Sequence, residues 1–214
     1  MNKTLLATTM AAALLATTLA NANSISLTAT SGGSTLTGTI NAPGEDQISS
    51  GTLNGWSFTI IGGTTAPASG TYATPYMDLN TVLVTGIGAG NLVVTFSGVG
   101  YTGVGGTLLN TSGSSLTGTA QAYGGTSDNL VDETQALLAS PITLSTAVQN
   151  VVGASVGSGT NPYSLTEVLT ITGGAPGSLD VILTEVPDGG MTLTMLGTAL
   201  VGLAAIRSKI GRKH

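Results

Sequence analysis

The sequence predicts an all-β fold, a two-layer β-sandwich of jelly-roll-like type with one short crossover helix, flanked by an N-terminal signal peptide and a C-terminal transmembrane helix. Three observations carry this. Short segments of alternating apolar and polar residues recur along the middle of the chain. Clusters of Gly, Ser, Asn and Pro separate them, and the 214 residues include 32 Gly, roughly twice the usual share. Every Lys and Arg lies at one of the two ends, each beside an uncharged run.

The first element is the signal peptide, residues 1–22. Lys3 gives a short positive start, an apolar run from Leu5 to Leu19 follows, and Ala20-Asn21-Ala22 has the small-x-small pattern that signal peptidase accepts. Lys3 orients this segment in the Sec translocon, and Ala20 and Ala22 define a cleavage that leaves Asn23 first. A chain sent out of the cytoplasm without cysteine must draw its stability from core packing.

The second element is the body, residues 23–185. Strands are expected at Ser24–Thr30, Ser34–Ile40, Gly55–Ile60, Leu79–Val84, Leu92–Phe96, Leu116–Ala120, Ile142–Ser145, Tyr163–Thr172 and Leu179–Leu183. Trp56, Phe58 and Ile60 sit two apart, so they share one face of a sheet while Ser57 and Thr59 take the other. About nine short strands suit a two-sheet sandwich. The one helix is expected to start near Asp132, capped by Asp132 with Gln135 three residues on, and to end before Pro141. Leu36-Thr-Gly-Thr39 recurs as Leu116-Thr-Gly-Thr119, which in so Thr- and Gly-rich a chain reads as coincidence. Low complexity does not mean disorder here, because period-two apolar residues run through most of the body.

The third element is a three-part tail. Val186-Pro187-Asp188-Gly189-Gly190 (186–190) precedes an uncharged run at 191–206, which as a helix spans about 24 Å, somewhat short of the ~30 Å hydrocarbon core. The basic tail 207–214 follows, and Arg207, Lys209, Arg212 and Lys213 should hold it on the cytoplasmic side. Pro187 stops any upstream element, and Gly189 and Gly190 loosen the backbone just outside the bilayer.

Charge excludes several functions. From Thr4 to Ile206 there is no Lys or Arg, and the only histidine is His214. A body charged only negatively cannot neutralise phosphate, so no nucleic-acid partner is expected. Cysteine nucleophiles, Ser-His-Asp triads and histidine-ligated metals are excluded as well, and no cofactor is implied. Glu45-Asp46 and Asp128-Asn129 with Asp132-Glu133 are candidate calcium-binding loops, but they lack the oxygen spacing of an EF-hand and serve equally as solvated loop acids. A carboxylate pair for glycoside hydrolysis has no recognisable motif and no basic partner to tune it, so no enzyme is expected. Trp56, Tyr72, Tyr76, Tyr101, Tyr123 and Tyr163 would make a sugar-stacking platform only if several emerged on one face, and Trp56, alternating with Phe58, reads as core. Asn110-Thr111-Ser112 matches a glycosylation sequon.

The tail resembles the PEP-CTERM class of sorting signals, most closely the VPDSG or VPDGG variant, on the box Val186, Pro187, Asp188, Gly189 and Gly190, the 191–206 run and the basic cluster. Pro162–Thr172 and Leu179–Leu183 also look like the strand pair often found just before such a tail. The resemblance implies a substrate of exosortase, a membrane cysteine protease-transpeptidase of Gram-negative bacteria that make extracellular polysaccharide. The expectation is a non-enzymatic exported protein, an inner-membrane-anchored precursor that ends at the outer surface or in the matrix. The alternatives are a permanently anchored periplasmic or surface domain and a carbohydrate-binding module of that polysaccharide.

Overall fold

The computed structural model describes residues 25–42, 44–65, 71, 73–153, 156 and 162–186. Lys3, Ala20 and Ala22 of the expected signal peptide lie outside these residues, as do Pro187, Asp188, Gly189 and Gly190, the 191–206 run and the basic cluster.

Thirteen strands form among the described residues. They are β1 (Ile25–Ser31), β2 (Ser34–Thr37), β3 (Thr39–Ala42), β4 (Glu45–Leu53), β5 (Trp56–Thr65), β6 (Tyr76–Gly86), β7 (Leu92–Tyr101), β8 (Gly106–Thr111), β9 (Leu116–Gly124), β10 (Ile142–Thr143), β11 (Gln149–Val152), β12 (Tyr163–Gly174) and β13 (Gly177–Val186). One sheet has the order β10-β9-β12-β7-β1-β2 and the other β11-β8-β13-β6-β5-β4-β3. Every ladder is antiparallel.

The last eight strands nest as pairs: β6 with β13, β7 with β12, β8 with β11 and β9 with β10. Successive pairs alternate between the sheets, so a ribbon of paired strands is rolled into two layers, the jelly-roll connectivity. β1 to β5 widen both sheets. Between the layers lies a single core in which Ile25, Leu27, Phe96 and Leu169 of one sheet meet Trp56, Ile60, Leu79 and Leu183 of the other.

Period two breaks where the sheets bulge. On β6, Met77 and Leu79 point inward and then Val82 and Val84 do, because Asn80 and Thr81 together oppose Asp180 on β13. Thr81 takes a positive φ of 45°, and its N–H donates to the Asp180 carboxylate at 2.7 Å. The side-chain acceptor replaces the ladder partner that the extra residue removes. β5 shifts phase alongside: after Trp56, Phe58 and Ile60 the inward positions become Gly63 and Thr65, and Ile61 stands outward, 56% exposed. The β4–β5 turn is Asn54-Gly55, both at positive φ (47° and 84°), the pair a two-residue type I′ hairpin requires.

The expected crossover helix is not there: the described residues contain no helix. Asp132 accepts at Oδ1 from the Thr134 N–H (3.0 Å) and at Oδ2 from the Ser127 hydroxyl (2.5 Å), which ties a turn instead of capping a helix. The backbone from Ala136 on pairs with β9: the Gly124 N–H donates to the Ala136 carbonyl and the Leu138 N–H to the Ala122 carbonyl. Leu138 enters the core, so tertiary pairing outweighs weak local helix propensity. The Leu-Thr-Gly-Thr echo has no structural counterpart. At Gly38 the chain leaves one sheet for the other, whereas Gly118 continues β9 inside its sheet.

Candidate functional site

The sandwich has two chemically different poles. At one lie the turns 31–34, 53–56, 86–92, 111–116, 143–149 and 174–177, which contain no ionisable residue. At the other, β1 begins, β7, β9 and β13 end, and β12 begins. Apart from Asp180, every carboxylate of the described residues lies in this second half. The chain leaves toward the sorting box from here, so it is called the tail pole.

Val186 is the one box residue among those described. It closes β13, paired with Gly106 of β8, after Glu185 with Thr107 and Thr184 with Leu108 and Tyr76. β13 lies inside its sheet between β8 and β6. Strand pairing therefore includes the first residue of the box.

Two tyrosines close the core at this pole. Tyr101 and Tyr163 are buried with ring centroids 6.0 Å apart. The Tyr101 hydroxyl bonds Thr65 Oγ1, and that of Tyr163 donates to the Gly103 carbonyl at 2.9 Å. Trp56 is fully buried, Tyr76 and Tyr123 are half-buried, and Tyr72 lies outside the described residues. Trp56, Tyr101 and Tyr163 are core residues and do not present a ring for sugar stacking.

The acids serve the fold. Asp46 is 2% exposed, and its Oδ2 accepts the Leu27 N–H of the other sheet at 3.0 Å. Burial raises its pKa, opposed by the N–H groups of Leu27 and Gln47. Asp128 Oδ1 accepts the Gly100 N–H at 2.8 Å. Asp132 is held below the usual carboxylate range by the hydroxyls of Ser127 and Thr134. Asp78 accepts the Tyr76 hydroxyl at 3.2 Å, while burial raises both groups. Glu167 sits on the core face of β12 between Phe96 and Ala122 of the flanking strands, fully buried. Neither of its oxygens makes a hydrogen bond of normal geometry. Burial, then the charge of Asp78, pushes its pKa well up, and the nearby Leu183 N–H opposes this least of the three. Among the described residues no group of three or more acidic, His or Cys side chains could hold a metal ion. Asp46 Oδ2, Asp128 Oδ1 and both oxygens of Asp132 accept from backbone or hydroxyl donors, whereas Asp46 Oδ1 is buried without a partner.

The loop 125–141 folds over the outer face of the sheet that holds β12 and buries a polar network. Gln135 Oε1 accepts the N–H groups of Thr126 and Ser127, both at 3.2 Å, and its Nε2 donates to Ser164 Oγ at 2.6 Å. Ser97 Oγ links Thr166 Oγ1 (2.9 Å) and the Val131 N–H (2.9 Å). Sequence reasoning did not find this network, because Gln135 reads there as half of a helix cap.

The pole opposite the tail carries an open pocket of about 580 Å³, lined among others by Ser31, Gly32, Thr35, Gly90 and Asn91. No ionisable group lines it, so it offers hydroxyl, amide and backbone groups to a neutral polar ligand. The Asn110 side chain, in the sequon, donates to Asn150 Oδ1 across the β8–β11 ladder.

Residues 185–210 match the family model of the VPDSG-CTERM motif. This supports a CTERM-sorted exported protein, is consistent with a membrane-anchored precursor, and suggests processing by an exosortase-type system. No curated protein and no solved structure matches the chain.

Proposed function

We propose that this chain is a non-enzymatic, surface- or matrix-destined β-sandwich that an exosortase-type membrane protease processes at Val186 to Gly190. The observation that carries this reading is the motif at residues 185–210 attached directly to the end of β13. Residues 1–22 are removed by signal peptidase after Sec export, with Lys3 orienting the segment and Ala20 and Ala22 at the cut. The 191–206 run spans the inner membrane, and Arg207, Lys209, Arg212 and Lys213 keep the end of the chain inside. The body then folds outside the inner membrane beside the enzyme that releases it.

The test is intact mass spectrometry of the protein recovered separately from membrane, outer surface and medium of its native host. The expected surface or medium species starts at Asn23 and ends within 187–190, with or without an added polymer. A species from Asn23 to His214 in every fraction would replace this reading with a permanent anchor.

A second reading, a carbohydrate-binding module of the polysaccharide matrix, draws on the uncharged polar pocket at the far pole. It predicts that the purified body is retained on the host's polysaccharide, and a clean flow-through would remove it.

A further inference from the structure

β13 is hydrogen-bonded to its last residue. Val186 pairs with Gly106, so the tether from the folded body to a membrane helix that begins at Met191 is only residues 187–190. Fully extended, the steps from Val186 to Met191 reach at most about 18 Å. The headgroup layer takes up roughly 6 Å of that on each side of the hydrocarbon core. A domain held on so short a leash keeps its tail pole at the bilayer surface, with the uncharged pole outward.

The surface around the exit has the chemistry for that contact. Val152, at the end of β11, is 78% exposed, and Val104, just before β8, is 62% exposed. Both lie on the β8 side of the strand that holds Val186: Val104 is two residues before Gly106, the partner of Val186, and Val152 pairs with Leu108 of β8 one strand further out. Leu108 on the same strand is only partly buried. No Lys or Arg lies anywhere in the described residues, while Glu185 and the acids of the 125–141 loop share this half. Apolar side chains beside the tether, with only negative charge around them, suit uncharged or zwitterionic headgroups and oppose an anionic surface.

We infer that the tail pole, at Val104 and Val152 beside the exit of β13, is a seat for the neutral lipid surface of the membrane in the unprocessed precursor. The inference rests on the anchored precursor proposed above. The protein contains no cysteine, so single labels are simple to place. V104C, V152C and, at the opposite pole, V148C (Val148 is 63% exposed) are made in the full chain. Each is labelled with an environment-sensitive fluorophore and reconstituted in phosphatidylcholine vesicles. The expected result is blue-shifted emission and strong loss of intensity to a headgroup-level quencher at positions 104 and 152, with neither change at 148. A rising fraction of anionic lipid should weaken the effect. Co-flotation with the vesicles but equal quenching at both poles, or stronger quenching on anionic lipid, would overturn the seat and leave anchoring intact. Failure to float with the vesicles would overturn the anchoring, and the seat with it.

Discussion

The carboxylate of Asp46 on β4 accepts the backbone N–H of Leu27 on β1 at 3.0 Å, joining the two sheets through the core. The contact exists because β2 leaves its sheet at Gly38. Leu27 keeps a partner for its carbonyl in the Gly38 N–H (2.7 Å) but has no strand to receive its own N–H. Asp46 supplies that acceptor. A Cβ on Gly38 would lie 2.3 Å from Asp46 Oδ1, so the crossing needs a glycine.

Asp46→Ala leaves the buried Leu27 N–H unsatisfied and should cost about 1–3 kcal/mol in denaturant unfolding of the body. Asp46→Asn keeps an acceptor and removes a buried charge, so it should match or exceed the wild type at pH 7. If the alanine variant unfolds at the wild-type midpoint, the bridge between the sheets carries no weight.

Glu167 sets a pH dependence of definite sign. Its folded pKa is raised well above the ordinary value, mainly by burial and then by Asp78, so the folded state binds its proton more tightly than the unfolded chain, where the pKa is about 4.3. The stability from neutral Glu167 is full below that unfolded value and is lost as pH rises toward the folded one. Asp46 and Asp78, also raised by burial, act in the same direction. The melting temperature of the body should fall from about pH 5 to pH 8, and Glu167→Gln should flatten the profile. Glu167→Leu, which needs no partner between Phe96 and Ala122, should add about 1–3 kcal/mol at pH 7. A wild-type melting temperature that climbs with pH over this range would contradict the assignment.

Gln135 holds the 125–141 loop against β12. Gln135→Leu keeps the bulk but removes the Oε1 acceptor of the Thr126 and Ser127 N–H groups and the Nε2 donor to Ser164 Oγ, which keeps its bond to the Ser127 carbonyl. The expected loss is about 2–4 kcal/mol. Amide exchange should become faster in residues 125–138, with β1 and β5 unchanged. Uniform acceleration across the domain would mean that the loop is part of the global unfolding unit.

The long strands β1, β5 and β13 were legible in the sequence because a half-buried strand prints period two. β7 and β12 were legible too, although they are buried on both faces, because the residues on their outer face, such as Thr95, Ser97, Ser164 and Thr166, are polar. Three others were not. β4 begins with Glu45-Asp46, which reads as an acidic turn until Asp46 is seen to have a backbone donor waiting across the core. β8 and β11 are short, and their residues, Gly-Thr-Leu-Leu-Asn-Thr and Gln-Asn-Val-Val, are too brief to separate from loop. The expected strand Ser34–Ile40 is really β2 and β3 in different sheets, a switch at Gly38 that local pattern cannot encode. Asp132 and Gln135 carried a true capping signature but spend it on a turn and on Ser164, because the edge of β9 offers the following backbone better partners. The motif was legible for the opposite reason: a sorting signal is read as a linear segment, so its information lies in the order of residues 185–210.

The sorting box yields the most direct prediction. Val186 pairs with Gly106 in the β8–β13 ladder, and Pro187 to Gly190 of the box follow it directly in the chain. Pro187→Ala and Asp188→Ala should both leave export and folding intact and block removal of the tail. Each would accumulate as a membrane-bound chain starting at Asn23 and ending at His214. Intact mass of the membrane and medium fractions separates the cases, and thermal unfolding of the solubilised variants checks that the body is unaffected. Normal release of both variants would show that the box is not what the processing enzyme reads, and a permanent anchor would then be the better account of the tail.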